Sequence, residues 1–181
     1  MESIKMYKAL FKIYITALIL MSLSCQGHRA FQGDEGAKSH WYTSIDGAFT
    51  VQTPASLVYR QDTLTIQNEN KTFTMDLGVH HGQLKPWFFE IVHTIQPAFW
   101  KELSQDEKGW WLKSMVQNRY PPFKISEARE DRLLGEQRGR QMEIRAVTSA
   151  THLYLLVAAV PPGSLALPAV QNFFQSFQFN R

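Results

Sequence analysis

The chain has 181 residues, of which 44% are hydrophobic and 13% aromatic, enough for one domain with a substantial core. Its 19 Lys and Arg face 16 Asp and Glu; setting aside residues 1–24, which hold three lysines and one glutamate, leaves 16 against 15. That near-neutral balance excludes the clustered basic surplus of a nucleic-acid binder, and a single cysteine excludes a disulfide framework.

The chain opens as a secretory signal. Lys5, Lys8 and Lys12 outweigh Glu2, and the uncharged run Ile13 to Leu23 leads to small Ser24 and then Cys25. A retained membrane span needs roughly 20 apolar residues to cross about 30 Å, and Lys12 interrupts the run before that length. Cleavage is therefore expected. Ser22-Leu23-Ser24-Cys25 resembles the lipobox of bacterial lipoproteins, although the leucine stands one place nearer the cysteine than usual, as in some Bacteroidetes-type versions. The resemblance implies that Cys25 becomes the lipidated first residue; an ordinary signal with an incidental cysteine is the alternative. The expected location is the bacterial cell envelope, lipid-anchored, with the domain in the periplasm or at the cell surface. Gln26 rather than Asp after the cysteine favours the outer membrane over the inner. Gln26 to His40 is polar and glycine-containing, with little to bury, and reads as a tether. The expected organisation is a signal peptide at 1–24, a lipidated Cys and tether at 25–40, and a folded domain at 41–181.

The folded part begins with period-two patterns. Phe49 and Val51 alternate with Thr50 and Gln52, Leu64 and Ile66 with threonines and Gln67, and Phe73, Met75, Leu77 and Val79 with Thr74 and Asp76. Asn68 to Lys71 suits a hairpin turn between the last two runs. His80 to Pro86 reads as a loop, after which Trp87, Phe89, Ile91, His93 and Ile95 share one face of a strand. Ser104-Gln105-Asp106-Glu107 is a capping box opening a helix, with Trp111, Leu112, Met115 and Val116 on its apolar stripe and Pro121-Pro122 as its stop. Strand character returns at Phe123 and Ile125 and at Met142, Ile144 and Ala146. Leu153 to Val160, apolar on both faces, reads as a central strand. A final helix from near Pro168 carries Val170, Phe173, Phe174 and Phe177. This order suggests an α+β sandwich.

Ser44-Ile45-Asp46-Gly47-Ala48-Phe49-Thr50-Val51, with Pro54 after it, looks like the opening strand of PsbP-like domains. Leu134-Gly135 followed by Gly139-Arg140-Gln141-Met142-Glu143 is similar to their late turn and strand. His152 to Leu156 and then Phe173-Phe174-Gln175-Ser176-Phe177 resemble their ending. The resemblance covers most of residues 41–179 and implies an antiparallel β-sheet flanked by helices, an α/β/α sandwich. It also implies partner binding rather than catalysis, since relatives include an extrinsic photosystem II protein, a Ran-binding protein and many bacterial lipoproteins. Function does not follow from fold alone.

For chemistry, no G-x-S-x-G elbow, phosphate-binding glycine loop or H-E-x-x-H helix occurs. The best candidates for a metal or acid–base site are His80, His81 and His93, near Asp76. Adjacent histidines on extended chain point opposite ways, and His93 lies on an apolar face, so a polar loop and a core histidine are the expected readings. Arg138, Arg140 and Arg145, interleaved with Glu136 and Glu143, read as a solvated strand face. Of Trp110 and Trp111, one is expected near the domain surface, as a boundary residue, a binding anchor or a contact to the membrane interface. The function expected is a non-catalytic, lipid-anchored binding or accessory protein with a protein partner, no nucleic acid and no cofactor. The alternatives are a hydrolase or metal-dependent envelope enzyme using the three histidines, or a periplasmic carrier of a small ligand.

Overall fold

The alternating runs become antiparallel strands that pair chiefly with their sequence neighbours. A computed structural model describes residues 38–68 and 71–180; the expected signal segment and Cys25 lie outside the described residues. The strands are β1 (His40–Thr43), β2 (Phe49–Thr53), β3 (Val58–Asn68), β4 (Lys71–Leu84), β5 (Trp87–Ile95), β6 (Lys124–Ala128), β7 (Arg132–Gln137), β8 (Arg140–Thr148), β9 (His152–Val160) and β10 (Gln178–Phe179). Two helices join them, α1 (Gln105–Arg119) and α2 (Pro168–Gln175), with a 3-10 turn at Ala98–Glu102. Among the described residues no helix is long and apolar enough to cross a membrane.

Seven strands form the main sheet in the order β3-β4-β5-β9-β8-β7-β6. The apolar strand β9 lies inside it, paired with β5 from Phe88↔Ala159 to Ile95↔His152 and with β8 from Gln141↔Val160 to Thr148↔Leu153. Successive residues of β9 fill opposite cores: Leu153, Leu155 and Val157 on one face, Tyr154, Leu156 and Ala158 on the other. Truncating Leu155 or Leu156 to Ala removes packing worth about 2–5 kcal/mol.

The first core is closed by α1, which buries Leu112, Met115 and Val116. Its start is a complete capping box: the Ser104 hydroxyl accepts from the Glu107 amide, and the Glu107 carboxylate accepts from the Ser104 amide at 2.7 Å. The helix ends at Arg119, just before the two prolines that cannot donate a backbone hydrogen bond. The second core is closed by β2, with Phe49 and Val51, and by Val170, Phe173 and Phe174 of α2.

This second layer corrects the expected α/β/α sandwich. Strands take 52% of the described residues, and the helices together with the 3-10 turn take 20%. β2 does not join the main sheet; it pairs with β1 on one side and β10 on the other, giving a separate three-stranded sheet. Opposite α1 the main sheet is therefore covered by a small sheet and one eight-residue helix, not by a helical layer. Alternation identifies which face of β2 is wet but carries no information on its neighbours, so the sequence pattern did not distinguish the two arrangements.

The expected loop at His80 to Pro86 is also absent. β4 continues to Leu84 and turns at Lys85 and Pro86, because β3 pairs with it as far as His81 and β5 pairs with it from Gly78 to Leu84. β1, β7 and β10 are further strands that the alternation did not indicate.

Candidate functional site

The three histidines divide as their strand positions dictate. His80 is 1% exposed and shares a face with His93, whereas His81 points to the opposite face. His80 Nδ1 lies 2.7 Å from the Tyr42 hydroxyl, and its Nε2 lies 3.4 Å from His93 Nε2. The His93 ring stacks on Tyr154 at 15° and lies over Gly78. A Cβ at Gly78 would sit 2.0 Å from His93 Nε2, so glycine is what lets the ring lie there. A neutral pair fits this chain, with Tyr42 donating to His80 and His80 donating to His93. Burial, reinforced by the neighbouring His93, pushes the His80 pKa down to about 4. Burial lowers His93 as well, against the attraction of Asp46. Asp76 and His152 line the small cleft beside His93, but among the described residues no group of three His, Cys, Asp or Glu is arranged to hold a metal ion.

The other sequence candidates are placed separately. Cys25 lies outside the described residues. Trp110 is 43% exposed, while Trp111 is half-buried and packs edge-on against Phe73 at 5.0 Å between ring centres. The three arginines are not one patch. Arg145 lies on the face covered by α2, where it and Arg132 both donate to a single oxygen of the fully buried Glu143, and its guanidinium lies 4.4 Å from the Phe174 ring. Arg138 and Arg140 line a cleft on the opposite face.

That cleft was not indicated by any motif. It has a volume of about 490 Å³ and opens beyond the C-terminal end of α1. At its base Glu90, a carboxylate in the middle of the apolar strand β5, accepts from Arg119 at 2.8 Å and from the Tyr120 hydroxyl. Arg119 also reaches Asp62 at 3.2 Å, and its Nε donates to the Tyr120 oxygen, so every nitrogen of its guanidinium is engaged. Burial opposes the Arg119 charge but is outweighed by Tyr120 and Glu90, which raise its pKa; burial and Glu90 together push the Tyr120 hydroxyl well up. Asp62 is shared with Arg60 at 3.6 Å. Four guanidinium groups thus line a cleft holding two carboxylates, and among the described residues Arg138 and Arg140 have no ion pair. Phe88, Met142 and Ala159 supply an apolar wall.

No family model, characterised protein or solved structure matches the chain significantly. The chemistry therefore rests on the cleft itself. Its two spare positive charges suit an anion. The carbonyl end of α1 opposes this, but a helix terminus contributes only about 0.3–1 kcal/mol. A charge-assisted hydrogen bond to arginine contributes about 1.5–3 kcal/mol, so the guanidinium groups dominate. The one sequence signal for the site was Glu90 itself, a charge among Phe88, Phe89, Ile91 and Val92 that burial obliges to find a partner.

Proposed function

We propose that the protein is a lipid-anchored binding or accessory protein of the bacterial cell envelope, non-catalytic, attached through Cys25 and holding its domain in the periplasm or at the cell surface, with the outer membrane favoured. The observation that carries the binding role is the open cleft whose two carboxylates are committed to Arg119, Tyr120 and Arg60 while Arg138 and Arg140 remain available. Glu90, engaged by both Arg119 and Tyr120, is a structural anion rather than a free general base. The PsbP-like motifs at 44–51, 134–143 and 173–177 favour the same role and rest on sequence likeness alone.

Anchoring is tested by fractionation. Several acyl chains on Cys25 give lasting attachment, because each buried CH₂ contributes roughly 0.8 kcal/mol. The wild type is expected with the membranes, and Cys25→Ser is expected to be released or left unprocessed. Recovery of the wild type wholly in the soluble periplasmic fraction would overturn the anchored reading.

A further inference from the structure

We infer that the cleft beyond the end of α1 binds a phosphate monoester that carries an apolar group, held by Arg138 and Arg140 at the mouth and by Phe88, Met142 and Ala159 along the wall. The inference rests on the binding role above and names its ligand class.

The charge count sets the ligand's charge. The two carboxylates of the cleft are taken up by Arg119 and Arg60, which leaves two guanidinium groups unmatched among the described residues. Gln137, which shares the rim, already donates its side-chain amide to the Pro121 carbonyl. Both unmatched groups come from one hairpin, stand two residues apart and line the same cleft, an arrangement that suits two negative charges carried on one group. A phosphate monoester supplies two charges on one compact centre above its second pKa of about 6. A dicarboxylate spreads them along a chain. Guanidinium forks also match phosphate oxygens in geometry.

The hairpin itself points to the same use. Arg138 and Gly139 connect the paired residues Gln137 and Arg140 with φ of 51° and 76°, the left-handed pair of a two-residue hairpin turn. Asn or Gly makes that turn with less strain than arginine. The turn therefore gains nothing from arginine at 138, whereas the cleft gains a cation at its rim. The wall of Phe88, Met142 and Ala159 offers nothing to a bare ion, which is why the ligand carries an apolar body.

The test is isothermal titration of the full chain in a non-ionic detergent at about pH 7.5. Phenyl phosphate is expected to bind at least fivefold more tightly than inorganic phosphate, with phenol giving no heat, and its affinity is expected to fall below about pH 6 as the ester loses a charge. Arg140→Met is expected to weaken phenyl phosphate at least tenfold with the urea midpoint unchanged. Arg138→Asn is expected to weaken it several-fold while holding or raising that midpoint, a combination that a purely structural role for the arginine excludes. Dihexanoyl phosphatidic acid separates the sources: tighter binding than phenyl phosphate assigns a lipid headgroup, weaker binding a soluble ester. Absence of heat with both esters, or binding unaffected by both substitutions, would overturn the inference and leave the membrane anchoring of the protein untouched.

Discussion

At the scale of single residues, the buried histidine pair makes the domain sensitive to acid. An unfolded histidine titrates near 6.5, whereas burial and His93 hold His80 at about 4. Between those values the unfolded chain binds a proton that the folded one refuses. The contribution is therefore complete above about pH 6.5 and is lost as the pH falls towards 4. One pKa unit is worth about 1.4 kcal/mol, so a loss on the order of 1–3 kcal/mol is expected. Urea unfolding at about pH 7.5 and 4.5 measures it, and His80→Phe should flatten the difference; an equally steep loss in that variant would place its origin elsewhere. The alternation along β5 showed His93 on the inner face. It did not show His80, because the His-His pair, Gly82 and Pro86 resemble a loop until β3 and β5 are known to pair with both sides of His80.

At the scale of elements, α1 has two attachments of different legibility. The capping box and the stripe of Leu112, Met115 and Val116 could be read from spacing, because hydrogen-bond geometry and helical period act within a few residues. The clasp of Arg119 and Tyr120 on Glu90 could not, since its partners are 29 and 30 residues apart in the chain. The two should differ in energy. Ser104→Ala removes an exposed cap worth about 1 kcal/mol. Arg119→Met leaves Glu90 buried without its counter-charge and should cost about 3–5 kcal/mol. Chemical unfolding of both variants compares them directly; a loss in Arg119→Met no greater than in Ser104→Ala would show that Glu90 escapes burial when the clasp is removed.

At the scale of the whole molecule, the domain is expected to fold without residues 1–37. A fragment spanning 38–181 should unfold at the same urea midpoint as one spanning 26–181, because Gln26 to Ala37 offers little apolar surface. A difference above about 1 kcal/mol would show that residues 26–37 pack as structure. Cutting further, to 44–181, removes β1 and with it the Tyr42 hydroxyl on His80, and should lower the midpoint. The sequence by itself determined the strands with clean alternation, the helix cap and stop, and the central place of the doubly apolar β9, all of which follow from side-chain period and local hydrogen bonding. Only the tertiary structure decided that β2 leaves the main sheet for a second one with β1 and β10, that His80 meets His93, and that Glu90 meets Arg119 beneath Arg138 and Arg140. The reason is physical: alternation tells a strand which side to bury, whereas its neighbour is chosen by non-local pairing and by the requirement that each buried charge find a partner from another part of the chain.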